Sequence, residues 1–122
     1  MGNSWQSPVT GEPSLGTPHP HNKLLLDNFS HAIGTHTIDV SAEVPAGAKA
    51  VSITYVATSP AAGGQIEITT IAGLIQVESI AGAASWFGGG GIVLVDSVYT
   101  FNMVVKNQNL TAIYMWMTVY WI

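Results

Sequence analysis

Apolar and polar residues alternate with a period of two from Thr35 onward, the mark of half-buried β-strands. Over 36–44, Ile38, Val40 and Ala42 fall on one side and Asp39, Ser41 and Glu43 on the other. Pro45-Ala46-Gly47-Ala48 reads as a turn. Over 49–58, Val51, Ile53, Tyr55 and Ala57 then oppose Ser52 and Thr54. Ser59-Pro60-Ala61-Ala62-Gly63-Gly64 is the next loop, after which Ile66, Ile68 and Thr70 alternate with Glu67 and Thr69. Beyond Gly73, Ile75 and Val77 oppose Gln76 and Glu78. The pattern predicts a glycine-rich loop over 82–91 and two long strands, 92–105 and 110–122, joined by Lys106-Asn107-Gln108-Asn109. Turn signals at this spacing, with no helical period after Thr35, predict an all-β chain: an antiparallel β-sandwich of jelly-roll type.

The last strand is apolar on both sides. Leu110, Ala112, Tyr114, Trp116, Thr118, Tyr120 and Ile122 form one face, and Thr111, Ile113, Met115, Met117, Val119 and Trp121 form the other. In a two-sheet domain only one face meets the core, so the second is expected to meet another subunit. Tyr114, Met115, Trp116, Met117, Tyr120 and Trp121 are the candidate interface residues. The alternative is a central strand covered by the chain's own arm or by a loop.

The first 22 residues are of a different kind. They hold four of the six prolines (Pro8, Pro13, Pro18, Pro20) with Gly2, Gly11 and Gly16. Proline at this spacing opposes both helix and ladder, so 1–22 is expected to be an extended arm whose contacts come through Trp5 and those prolines. Leu24, Leu25, Leu26, Phe29 and Ile33 mark 23–34 as a connecting segment, helical turn or irregular strand, and 35–122 as the sandwich domain.

Composition sharpens this picture at one point. Only 8% of the 122 residues are charged, against about 25% in an ordinary soluble domain. A surface so poor in charge suits a subunit covered by copies of itself or by partners. Three lysines, no arginine and a net charge of −4 argue against nucleic acid and against an anionic membrane surface. With no cysteine, disulfides and thiol chemistry are excluded. The N-terminus has no basic stretch followed by an apolar run, so no secretory signal is read there. The apolar run 110–122 is too short for a spanning helix. A small outer-membrane barrel would share the alternation, and the missing signal counts against it.

Candidate chemistry is sparse. His19-Pro20-His21 has the look of a metal-site fragment, but it lies in the Pro-rich arm with no Cys and few carboxylates, so solvated or interface histidines are the expected reading and no metal or cofactor is expected. Glu67 with Glu78, or Asp39 with Glu43, are the carboxylate pairs a glycosidase would need. Each sits at a polar strand position, where a solvated charge is the default. Asp27, Ser30 and His31 lack a nucleophile-elbow context, and no enzyme is expected. The glycines of 88–91 are followed by no Lys-Ser/Thr, so a phosphate loop is not indicated, and a flexible loop tip or close backbone packing near a symmetry axis is expected instead. Asn28-Phe29-Ser30 and Asn109-Leu110-Thr111 match the glycosylation acceptor pattern by chance. Trp86 and Phe87 could form an aromatic platform for a glycan, with Asn102, Asn107, Gln108 and Asn109 supplying hydrogen bonds, but the favoured expectation is that both rings plug the end of the sandwich or a subunit contact.

The Pro/Gly arm, the small low-charge β domain and the strand-turn-strand Val44-Pro45-Ala46-Gly47-Ala48-Lys49-Ala50-Val51 together resemble virion proteins of tailed phages. The likeness is to capsid decoration (cement) proteins and small head or tail fibre domains. It implies a homo-oligomer, typically a trimer, seated on a major capsid protein or another virion protein, with the arm reaching across neighbours. It also implies assembly in the host cytoplasm into the virion. The rival readings are a receptor- or glycan-binding fibre domain and a non-viral shell or filament subunit.

Overall fold

The computed structural model of the protein describes residues 16–122. Among them are eight strands: β1 (Pro18–His31), β2 (Gly34–Asp39), β3 (Ala50–Thr58), β4 (Gln65–Thr69), β5 (Ile75–Ile80), β6 (Trp86–Leu94), β7 (Thr100–Lys106) and β8 (Leu110–Trp121). They form two four-stranded sheets, β1-β8-β3-β6 and β2-β7-β4-β5. The pairs β1·β8, β2·β7, β3·β6 and β4·β5 are all antiparallel. They are the successive levels of one long hairpin with its tip between β4 and β5, and rolling it up lays alternate levels in alternate sheets. That is the jelly roll, as the alternation predicts.

The core lies between the sheets. Val51, Ile53, Tyr55 and Ala57 of β3, with Ile113, Met115 and Met117 of β8, face Ile66 and Ile68 of β4 and Phe101, Met103 and Val105 of β7. All are essentially inaccessible to water, and their burial is the main force closing the sandwich. On the side where β5 and β6 run close together, the Tyr55 and Ser79 hydroxyls are 2.7 Å apart and Leu94 N–H donates to Gln76 Oε1 at 3.3 Å.

Several boundaries differ from those expected. β2 stops at Asp39, because Asp39 Oδ1 accepts from Ser41 N–H (2.8 Å) and Val40 C=O accepts from the amides of Glu43 and Val44. These local bonds turn the chain before Ala42, which ends exposed. The expected strand over 92–105 is two strands in different sheets. Asp96 breaks it, with Oδ1 accepting from Val98 N–H (3.1 Å) and Thr100 N–H (2.9 Å) and Oδ2 from the Thr100 hydroxyl (3.0 Å). Tyr99, at φ 63°, completes the turn. The glycines of 88–91 lie within β6, an edge strand, rather than in a loop.

The segment 18–34 belongs to the sandwich. Pro18 and Pro20 are in register with Trp121 and Val119 of β8, where the sequence reading has an arm without ladder. β1 is a sheet edge, and at an edge a missing N–H can face outward without breaking a ladder bond. Register shifts after Pro20, Leu24, Leu26 and Phe29 accommodate the irregular sequence. Trp5, Pro8 and Pro13 lie outside the described residues.

Candidate contact surface

The two sheets have opposite outer faces. In the second sheet the outward positions are mostly polar, Thr35, Thr37 and Asp39 of β2, Asn102 and Lys106 of β7, Gln65 and Glu67 of β4 and Glu78 of β5, with Val104 of β7 and the exposed Ile80 of β5 among them. The polar ones bond among themselves. The Thr37 hydroxyl donates to Asn102 Oδ1 (3.0 Å), Lys106 Nζ lies 2.9 Å from Glu67 Oε1, and Gln65 Nε2 donates to Glu67 Oε2 (3.1 Å). This surface is largely polar and meets its hydrogen bonds within itself.

The first sheet has none of this. Its outward positions fall in five rows: Trp86–Thr58–Ala112, Gly88–Val56–Tyr114, Gly90–Thr54–Trp116–Leu24, Ile92–Ser52–Val119–Pro20 and Leu94–Ala50–Trp121–Pro18. No Asp, Glu, Lys or His stands in these rows, and the exposed Asp27 of β1 lies at the edge beside Tyr114, between the registers of Met115 and Ile113. Trp86, Tyr114 and Trp116 form a file of rings, with centroids 6.2 and 6.1 Å apart. Trp86 is 58% exposed, and Leu24, Ile92 and Leu94 are exposed as well.

β8 creates this face through its alternation and one irregularity. Ile113, Met115 and Met117 point into the core, so Tyr114 and Trp116 point out. A register shift between Met117 and Val119 then reverses the parity, sending Val119 and Trp121 outward and turning Tyr120 toward the core. Of the six expected interface residues, Tyr114, Trp116 and Trp121 are on the outer face. Met115 and Met117 are core, and Tyr120 packs against the core. The expectation of a single unbroken alternation along β8 fails at this bulge.

Gly88 and Gly90 shape the same face. A Cβ on Gly88 would meet the Tyr55 carbonyl oxygen at 2.5 Å, and one on Gly90 the Ile53 carbonyl oxygen at 2.6 Å. β6 therefore lies against β3 with bare backbone between Trp86 and Ile92. Sequence reading missed Leu24, Val56, Ile92 and Leu94 as members of the face. The available signal was the run Phe87, Gly89, Gly91, Val93 at strand spacing through the glycines.

The other candidates are dispersed or engaged. Phe87 points inward against the core while Trp86 points outward, so the two rings share no platform. Asn107 Nδ2 donates to Gly63 C=O (3.0 Å) and Asn109 Oδ1 accepts from Ile33 N–H (2.9 Å), both tying loops. Glu67 and Glu78 are cross-strand neighbours, but Glu67 is buried against Lys106 and Gln65 rather than solvated. Asp39 and Glu43 diverge. Its bonds from Ser41 hold the Asp39 carboxyl below the usual range, while Glu43 lies 3.3 Å from His21 Nε2 and 3.9 Å from Lys23 Nζ.

His19 stacks on Tyr120 (5.1 Å between centroids) and His21 meets its edge (6.1 Å). His31 and His36 meet edge to face at 4.5 Å, and His36 Nε2 donates to Ala32 C=O (2.8 Å). Burial, and then the neighbouring His36, lowers the His31 pKa. Among the described residues no group of three or more His, Asp or Glu side chains stands together as a metal site, and no helix is long and apolar enough to cross a membrane. The chain matches no known family model, and no curated protein matches it.

Proposed function

We propose that the protein is a virion structural subunit of the capsid-decoration type, working by surface contact rather than by catalysis. The observation that carries this reading is the contrast between the two outer faces. One sheet presents a largely polar surface bonded within itself, and the other an aromatic face whose rows across β6, β3 and β8 hold no charged residue. Apolar patches of this extent on small domains mark contact surfaces, and aromatic enrichment with charge depletion is the composition of an interface centre. The jelly roll is a fold shared by viral capsid domains and by lectins. Fold alone does not choose between them.

The aromatic face supplies attachment to a lattice of like or unlike subunits. The Pro-rich beginning of the chain supplies further contact area, as the resemblance implies. The experiment is co-sedimentation of the purified chain with phage heads stripped of accessory proteins. Saturable binding to heads, lost in Trp116→Asp, is expected. Absence of binding to heads, with saturable binding to a sugar array instead, would replace this reading with a glycan-recognition domain.

A further inference from the structure

We infer that the outer face of the first sheet is self-complementary and is covered by the same face of a second copy, about a two-fold axis running along β3. This deepens the contact reading above, on which it rests, by naming the occupant of the face.

The strand register sets up this pairing. β6 and β8 flank β3 on either side, and a two-fold axis in the plane of the face along β3 lays β8 of one copy over β6 of the other, row upon row. In three consecutive rows the two flanking positions are one large aromatic and one minimal residue. Trp86 shares its row with Ala112, Tyr114 with Gly88, and Trp116 with Gly90. The operation therefore seats Tyr114 and Trp116 on the bare backbone of Gly88 and Gly90, and Trp86 over Ala112, each contact occurring twice. Isologous contacts require this kind of match of a patch with itself.

Charge agrees with the geometry. A face carrying charge repels its own copy, whereas the outward positions of β6, β3 and β8, the strands that overlap, carry none. These three strands at about 4.8 Å and a β6 of nine residues at about 3.3 Å each give a flat projection of roughly 430 Å², or about 860 Å² for the pair, just under the roughly 1,000 Å² of a specific interface. The two-fold pairing departs from the trimer implied by the phage resemblance and predicts an even-numbered assembly.

The test uses the absence of native cysteine. A spin label is placed on the full chain at Pro60→Cys, exposed just beyond β3 near the axis and outside the face. A second single-label chain carries Thr37→Cys, on the polar face of the second sheet. With sheets stacked at about 10 Å, dipolar spectroscopy should give about 10–25 Å between Pro60→Cys labels and more than about 35 Å between Thr37→Cys labels. Trp116→Asp should abolish the Pro60→Cys signal. No dipolar signal at any concentration, or the reverse order of distances, would overturn the pairing. If heads are still bound in that case, the decoration reading stands without it. A chain that pairs as described but binds no heads keeps the pairing and loses the decoration reading.

Discussion

The hydroxyls of Tyr55 and Ser79 lie 2.7 Å apart and join the first sheet to the second beside the glycine-rich edge strand β6. Tyr55 is fully buried, so this bond is made where water does not compete. Tyr55→Phe keeps the ring and removes the bond, and should cost about 1 kcal/mol, read as a lower urea midpoint at unchanged slope.

The same pair predicts an alkaline limit. Burial raises the Tyr55 pKa above its usual 10.0, against the opposing effect of the Ser79 hydrogen bond. The unfolded chain then releases its proton first, so this contribution to stability is complete below pH 10 and is lost as pH rises through the folded value. Urea midpoints from pH 9 to 11 should fall in the native chain and fall less in Tyr55→Phe.

Lys106 and Glu67 make the second prediction on the polar face. Glu67 is buried and Lys106 half-exposed, so removing the lysine leaves the carboxylate with Gln65 as its donor and the like-charged Glu78 across the strand. Lys106→Met should cost about 1–2 kcal/mol. Combined with Glu67→Gln, the two losses should be non-additive by more than about 0.5 kcal/mol in a double-mutant cycle of urea midpoints.

A third prediction separates two glycines by their surroundings. A methyl on Gly90 runs into the Ile53 carbonyl, whereas one on Gly82 meets nothing within 4 Å. Gly90→Ala should destabilise by about 1–3 kcal/mol, as overpacking does. Gly82→Ala should be neutral or stabilising by about 0.4–1 kcal/mol. Thermal melts of the two variants check the order.

These glycines also show where the sequence was legible. The alternation of β3 read correctly because Val51, Ile53, Tyr55 and Ala57 all lie on the core face of a central strand, Val56 being the one apolar residue of that stretch on the other face. β6 was hidden because glycine has no hydropathy to alternate, and the strand period is visible only in Phe87 and Val93 beyond the run. The breaks at Asp39 and Asp96 depend on side-chain acceptors reaching backbone amides, which period counting does not detect. Pro18 and Pro20 opposed a strand in general but not at an edge, and edges are decided by topology. For the contact face, aromatic content pointed to β8, but the bulge at Thr118 decided which of its residues face outward.

A fourth prediction concerns acid. The His31 pKa lies below the usual 6.5, first through burial and then through His36. The unfolded chain takes up this proton first, so the contribution is present above pH 6.5 and is lost as pH falls through the folded value. Urea midpoints should decline between pH 7 and 5, and the decline should be shallower in His31→Phe.

The most direct test of the central claim is sedimentation equilibrium of the intact chain beside Trp116→Asp. The substitution puts a charge on the outer face of the first sheet without touching the core. The account predicts that the intact chain sediments at an even multiple of 12.8 kDa. It predicts that Trp116→Asp sediments at 12.8 kDa with an unchanged circular dichroism spectrum. An intact chain that sediments at 12.8 kDa at every concentration, or a variant that keeps the assembled mass, would contradict it.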